Sequence, residues 1–133
     1  MLIVDTSVWI PYFNGVENAH TNKLDEILGS EIITIGDLIY MEILQGISNQ
    51  DQFAKIKNHL DKFNRVTLGG FDLALKAASN YNQLRVNGFT IRKSIDVLIG
   101  TFCFEHGCRL LHNDKDFTYF SKCFKLKMVD VSV

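Results

Sequence analysis

Residues 1–9 read Met-Leu-Ile-Val-Asp-Thr-Ser-Val-Trp, and the reading of this stretch decides the fold. Leu2, Ile3 and Val4 form a short unbroken apolar run, the pattern of a strand buried on both faces of a parallel sheet. Asp5 falls where that strand should end, and Thr6 and Ser7 lead into a second apolar pattern, Val8-Trp9-Ile10. Open α/β sheets bind ligands just beyond the carboxyl ends of their strands, so an acid at that point is well placed for chemistry. The structural alternative is that Asp5 or Ser7 only caps the next helix. Other acids in equally costly places decide between the two.

Working outward, Ser7 to Asn14 reads as one or two helical turns with Pro11 inside the first, and Asn14-Gly15 as a stop. Ala19 to Leu28 reads as a helix with Leu24, Ile27 and Leu28 on one face. The β-branched run Ile32-Ile33-Thr34-Ile35, bounded by Gly36, predicts a second strand. Leu38 to Ile47 is a strongly apolar helix, and Gln50 to Phe63 a more polar one with Phe53, Ile56 and Leu60 inward. Val66-Thr67-Leu68 reads as a third strand turned by Gly69-Gly70. Phe71 to Val86 follows as a long helix, then a loop through Thr90 to Lys93. Ser94 to His106 is the most apolar helix and stops at Gly107. Arg109-Leu110-Leu111 is a strand, Asn113-Asp114 a loop, Asp116 to Ser121 a short helix, and Leu126 to Val131 a last strand. Strands alternating with helices spell an α/β domain around a mainly parallel sheet of about five strands. No repeat, low-complexity tract or linker divides residues 1–133, so one domain is expected.

The 133 residues are 47% hydrophobic and 22% charged, enough to bury a core and ordinary for a globular protein. No apolar run reaches membrane-span length, and the opening lacks the basic-then-apolar pattern of a secretory signal. Cys103, Cys108 and Cys123 have no CxxC partner and read as reduced thiols of a cytoplasmic protein. The net charge of −1 does not announce a nucleic-acid binder. It leaves room for a polyanionic substrate if bound cations do the neutralising. Basic residues gather at Lys55, Lys57, Lys62 and Arg65, and again at Arg85, Arg92 and Lys93; solvated helix faces are the better explanation of such groups.

Three further acids sit where acids are expensive. Glu42 is the only charge between Leu38 and Gln45, and its neighbours at helical spacing are Leu38, Ile39 and Gly46. A carboxylate against such a face costs several kcal/mol, on the order of the buried-charge penalty, unless something positive meets it. Asp96 begins the most apolar helix. The helix dipole accounts for an acid in the first turn, but not for one followed at once by Val97-Leu98-Ile99. Asp114, with Asp116 close by, follows the strand Arg109-Leu110-Leu111. A turn and an N-cap would explain that pair alone, yet it shares the carboxyl edge of the sheet with Asp5. Asp5, Glu42, Asp96 and Asp114 together would repel one another unless cations lie among them. With only oxygen donors in the set, the expected ion is Mg²⁺ or Mn²⁺ rather than zinc, and phosphoryl chemistry is what such ions commonly do. His112 beside the group is set aside as structural.

Leu-Ile-Val-Asp-Thr-Ser-Val-Trp-Ile at 2–10, Tyr-Met-Glu-Ile-Leu-Gln-Gly around Glu42, Ile-Arg-Lys-Ser-Ile-Asp-Val-Leu-Ile-Gly around Asp96 and Leu-Leu-His-Asn-Asp-Lys-Asp-Phe at 110–117 resemble a PIN-domain ribonuclease. More narrowly they resemble the VapC-type toxins of type II toxin–antitoxin systems, over essentially the whole chain and in the family's order. The resemblance implies a three-layer α/β/α domain with an acidic pocket at the carboxyl edge of its sheet. It implies a Mg²⁺- or Mn²⁺-dependent endoribonuclease that acts on tRNA or ribosomal RNA and inhibits translation, a homodimer, and a small antitoxin partner. Asp5, Glu42 and Asp96 match the core metal-binding acids, Asp114 the usual fourth, and Asp116 a further acid of the site, with Thr6 or Ser7 in support. Arg92 and Lys93 are the candidates for RNA phosphate contacts. Asp5 and Asp96 are expected to hold the principal ion, with Glu42 and Asp114 holding a second or orienting water. Hydrolysis would leave a 5′-phosphate and a 3′-hydroxyl.

Two phosphotransfer readings of Asp5 fare poorly. Haloacid-dehalogenase-like enzymes need a second acid where Ser7 stands, and a receiver domain needs a phospho-acceptor that Val66-Thr67-Leu68-Gly69 does not offer. A PIN-like module that binds RNA or protein without cutting, or a nuclease of other nucleic acids, is the remaining alternative.

Overall fold

The computed structural model describes residues 1–131; Ser132 and Val133, the end of the expected single domain, lie outside them. In chain order the elements are β1 (Leu2–Val4), α1 (Thr6–Phe13), α2 (Ala19–Leu28), β2 (Thr34–Gly36), α3 (Asp37–Gln45), α4 (Gln50–Leu60), β3 (Asn64–Val66), α5 (Phe71–Val86), α6 (Ser94–His106), β4 (Arg109–Leu111), α7 (Lys115–Cys123) and β5 (Lys127–Met128). Helices α2, α5 and α6 and strands β1 and β4 keep the bounds that the sequence predicts.

The strands form one sheet in the order β3-β2-β1-β4-β5, and every pairing is parallel. β1 is the central strand: Ile3 pairs with Thr34 on one side and with Leu110 on the other. Its three residues are all buried, as the unbroken apolar run demands. The helices pack as two groups, α1 to α4 and α5 to α7, flanking the sheet. One core joins these layers and includes Ile3, Val8, Trp9, Ile39, Ile99, Leu110, Phe117 and Phe120. Trp9 stacks on Phe13 at 5.4 Å and meets Phe63 at 5.5 Å, which ties α1 to the segment between α4 and β3. Gly107 ends α6 in the left-handed conformation, φ 62°, where a side chain would be strained.

The second, third and last strands differ from the sequence expectation: β2 is Thr34–Gly36, and Ile32 is exposed before it. β3 is Asn64–Val66 rather than Val66–Leu68, because the edge of the sheet takes the polar segment: Asn64 and Arg65 are exposed while pairing with Thr34 and Ile35. A polar edge strand is the usual protection against unwanted pairing. Leu68, the most apolar residue of the expected strand, is buried instead against Gly36, where a Cβ would come within 2.4 Å of its side chain. β5 is trimmed to Lys127–Met128, although the Val129 amide still donates to the Leu110 carbonyl at 3.0 Å.

Asp37 opens α3 just past β2, on the same edge as Asp5, but its carboxylate is spent locally. Oδ1 accepts the amides of Leu38 at 3.0 Å and Leu68 at 2.7 Å, holding the segment after β3 to the start of α3. Asp37→Ala is expected to cost about 1 kcal/mol, the net worth of such a bond. Urea denaturation at unchanged m-value measures it.

Candidate active site

The sheet order creates the site. From β1 the chain moves outward to β2 and β3, then returns to place β4 and β5 on the other side of β1. The carboxyl ends of β1 and β4 therefore flank a topological switch point, where the following loops diverge and open a crevice. Asp5 leaves β1 there and Asp114 leaves β4. The seam is tied: the Asp5 amide donates to the Leu111 carbonyl at 2.9 Å, and the Asn113 amide donates to Ser7 Oγ at 2.9 Å.

The acids reach the crevice from the starts of α1, α6 and α7 and from the middle of α3. Asp5 is the N-cap of α1, its Oδ2 accepting the Ser7 amide at 3.0 Å. The capping alternative is thus real, but it uses only one of the two oxygens. Oδ1 of Asp5 is buried without a hydrogen-bond partner, as are Oε1 of Glu42 and Oδ2 of Asp96. Glu42 projects from the middle of α3, half-buried, with the Thr6 hydroxyl hydrogen-bonded to it. Asp96 stands in the first turn of α6 and is 6% exposed. Asp114 caps α7, its Oδ1 accepting the Asp116 amide at 2.9 Å. Asp96, Asp114 and Asp116 each bring a carboxylate oxygen within 4.8 Å of the other two.

The electrostatics match this crowding. Burial pushes the Asp96 carboxyl up to about 7, and the charges of Asp5, Asp114 and Glu42 add to the effect. Burial also raises Asp5, with Asp114 contributing, and raises Glu42, with Asp5 contributing. The positive charge of Lys93, at the N-cap of α6, opposes the shift at both Glu42 and Asp96. Orphaned buried carboxylate oxygens are costly unless a cation satisfies them, and three of them belong to this group. The oxygen-only donor set fits a hard divalent ion. His112 is half-buried, packs on Phe117 at 5.2 Å and accepts the Asp114 amide at 3.1 Å, a structural role.

The structure brings Asp96, Asp114 and Asp116 within ligand distance of one another, and places Asp5 and Glu42 near enough to act electrostatically on Asp96, with Ser7 bonded to Asp5 and Thr6 to Glu42. Of the two basic residues, Arg92 lies against Asp114 and Asp116 and Lys93 acts on Glu42 and Asp96. Of the other basic residues, Lys57 and Arg65 pair with Asp61, and Arg85 lies over the Tyr81 ring at 5.8 Å. What the sequence reading missed is the bond between Asp116 and Arg92, which no local spacing signals across 24 residues of chain.

A central parallel sheet with an acidic crevice at its switch point defines the class. The PIN domain family pattern matches residues 2–122, and the chain belongs to that family. It is similar to VapC ribonuclease Mb1587 of Mycobacterium bovis and to ribonuclease VapC11 of Mycobacterium tuberculosis, each 26% identical over 129 residues that cover 96% of this chain and 96% of the relative. Its fold is shared with VapBC2 from Rickettsia felis bound to a promoter DNA fragment (TM-score 0.74, 16% identity, 96% of each chain). It is shared also with VapC20 from Mycobacterium tuberculosis, a sarcin–ricin-loop-cleaving toxin (TM-score 0.66, 15% identity, 96% of this chain and 99% of that one).

Proposed function

We propose that this chain is a divalent-metal-dependent endoribonuclease of the VapC kind, the toxin of a toxin–antitoxin pair, working as a single domain in the cytoplasm. The observation that carries the reading is the convergence of Asp5, Glu42 and Asp96, each with an unpartnered buried carboxylate oxygen, on the crevice beside Asp114. Asp5 and Asp96 are suited to hold the principal ion, and Glu42 and Asp114 to hold a second or to orient the attacking water. Bound Mg²⁺ or Mn²⁺ would supply positive charge to the phosphodiester and the acidity that makes water a nucleophile near neutral pH.

The protein's own part is positioning. Ser7, through its amide to Asp5 and its hydroxyl to Asn113, keeps the ends of β1 and β4 in register. Thr6 orients Glu42. Arg92 and Lys93, at the rim, face a strand of RNA and offset the repulsion between its phosphates and the acids. Water adds to phosphorus and the bond to the 3′ oxygen breaks, giving a 3′-hydroxyl fragment and a 5′-phosphate fragment. Among the described residues no helix is long and apolar enough to cross a membrane, and Cys103, Cys108 and Cys123 are free thiols. A groove of about 590 Å³ lined by Leu38, Ala77, Tyr81, Ile95 and Leu98, beside the exposed Phe71 and Leu75 of α5, supports a homodimer. The fold shared with VapBC2 from R. felis and with a toxin–antitoxin complex from Klebsiella pneumoniae supports an antitoxin partner and the toxin role.

The test is cleavage of total RNA by the purified protein with Mg²⁺ or Mn²⁺ against EDTA, for wild type and Asp5→Asn, with the 5′ ends of the fragments sequenced. Cutting at defined sites, lost in EDTA and in Asp5→Asn, is expected. Metal-independent cutting, or full activity of Asp5→Asn, overturns the reading.

A further inference from the structure

Asp114 and Asp116 sit two residues apart beside Asp96, and distance alone offers both as ligands. Their surroundings separate them. Asp116 is 2% exposed, and its Oδ2 accepts both the backbone N–H and the Nε–H of Arg92, each at 3.4 Å. The oxygens left without partners belong to Asp5, Glu42 and Asp96.

We infer that Asp116 is a positioning residue, which holds Arg92 at the rim of the acidic crevice as an anchored phosphate clamp. The inference rests on the nuclease reading above and names which residue meets the substrate backbone there. Three observations carry it. First, the bond through Nε fixes the guanidinium plane while the side chain remains 67% exposed. Its outer edge therefore faces solvent as a fork, with Nη2 held only loosely, at 4.0 Å from Asp114 Oδ1. A fork of that shape matches two phosphate oxygens. Second, the whole arm is docked. Phe89 stacks on Tyr119 of α7 at 5.9 Å, Ile91 is buried, and the Asp116 bond to the main chain of Arg92 closes the segment onto α7 just before α6 begins. Third, the chain needs such a device. With a net charge of −1 it has no overall positive field to gather a polyanion, and its crevice is lined with acids. Attraction for phosphate must come from cations fixed next to that crevice, and Arg92 is fixed there by a buried carboxylate.

A metal ligand and a positioning residue fail differently. Mn²⁺ binding is measured by calorimetry, and steady-state cleavage of a labelled oligoribonucleotide in Mn²⁺ gives kcat and KM. The variants are Asp116→Ala, Arg92→Ala, the double variant, Arg92→Lys and Asp96→Ala. Arg92→Ala and Asp116→Ala should each raise KM by about tenfold or more, the worth of a charge-assisted hydrogen bond, and weaken Mn²⁺ binding by no more than about tenfold, the low end of what an outer-shell partner costs. The double variant should be no worse than the poorer single one, because both remove the same clamp. Arg92→Lys keeps the charge but not the fork and should recover only part of the loss. Asp96→Ala should lose Mn²⁺ binding. Should Asp116→Ala melt early, Asp116→Asn, which keeps the shape and loses the charge, is read in its place. Lost Mn²⁺ affinity in the folded Asp116 variant, or multiplied effects in the double one, overturns the inference. No metal-dependent cleavage by wild type overturns the nuclease reading instead. The same variants are then compared by fluorescence anisotropy of the oligoribonucleotide, where independent losses at Asp116 and Arg92 overturn the clamp.

Discussion

Asp96→Asn is expected to lose RNA cleavage by about a thousandfold and, in EDTA at pH 8, to melt at a higher temperature than wild type. The two effects share a cause. Loss of an outer-shell partner of a metal site already costs about 10–100-fold, and Asp96 is proposed as a ligand itself. In the metal-free protein the same carboxylate is a burden. Its folded pKa is raised from 3.8 to about 7 by burial and by the neighbouring acids, so the unfolded chain ionises first as pH rises. Below about pH 4 both states are protonated and nothing is lost. Stability then falls through the interval between the two values and stays low above pH 7. The full linkage would be about 4 kcal/mol, and water at the mouth of the crevice screens this to about 2 kcal/mol. For a chain of this size that is a rise of roughly 5–10 °C for the neutral amide. Raised values at Asp5 and Glu42 act in the same direction, so wild type in EDTA should be less stable at pH 8 than at pH 5. Mn²⁺ should restore wild type and leave Asp96→Asn nearly unchanged. Thermal melts at the two pH values, with and without Mn²⁺, measure all of this. Identical melting of the two proteins in EDTA at pH 8 would show that Asp96 is not held under strain.

Phe120→Ala is expected to destabilise the fold by about 3–5 kcal/mol, a large share of a domain's typical 5–15 kcal/mol. Phe120 is 1% exposed and lies on α7 one turn beyond Asp116. Opposite it, on α6, Gly100 lies one turn beyond Asp96. A Cβ at Gly100 would stand 3.1 Å from three atoms of the Phe120 ring. Residues four apart share a helix face, so the contact of Gly100 with Phe120 and the approach of Asp96 to Asp116 are successive rungs of one interface. The packing below sets the spacing of the acids above. The variant should therefore also bind Mn²⁺ more weakly at temperatures where it remains folded. Gly100→Ala in wild type pits about 1 kcal/mol of helix propensity against about 1–3 kcal/mol of overpacking. In the Phe120→Ala background the clash is gone, and the same substitution should stabilise by about 1 kcal/mol. Urea titrations of the four proteins give the coupling, and equal effects of Gly100→Ala in both backgrounds would mean that the two residues do not meet.

Much of the fold was legible because its signals are local. Helices α2, α5 and α6 carry periodic apolar faces and clear stops, and β1 and β4 are short apolar runs that only a buried sheet accommodates. The third strand was misplaced because it is an edge. Asn64 and Arg65 pair while facing solvent, and the apolar Leu68 that suggested a strand is buried by packing on Gly36. Local composition does not distinguish a buried side chain from a paired backbone.

The candidate site divides the same way. Asp5, Glu42, Asp96, Asp114 and Asp116 stand out in the sequence because charge beside apolar runs is costly wherever the chain goes, and that cost is written residue by residue. Their union depends on the strand order. It is the return of the chain across β1 that makes β1 and β4 neighbours, and the packing of Gly100 on Phe120 that turns Asp96 toward α7. Nor does any spacing reveal that Asp116 is bound to Arg92 while Asp5, Glu42 and Asp96 keep oxygens free. The sequence by itself determined which elements form and which acids are out of place, since propensity and desolvation act over a few residues. The tertiary structure alone decided which acids face one another and which one holds the arginine, since those contacts join segments that only the closed core brings together.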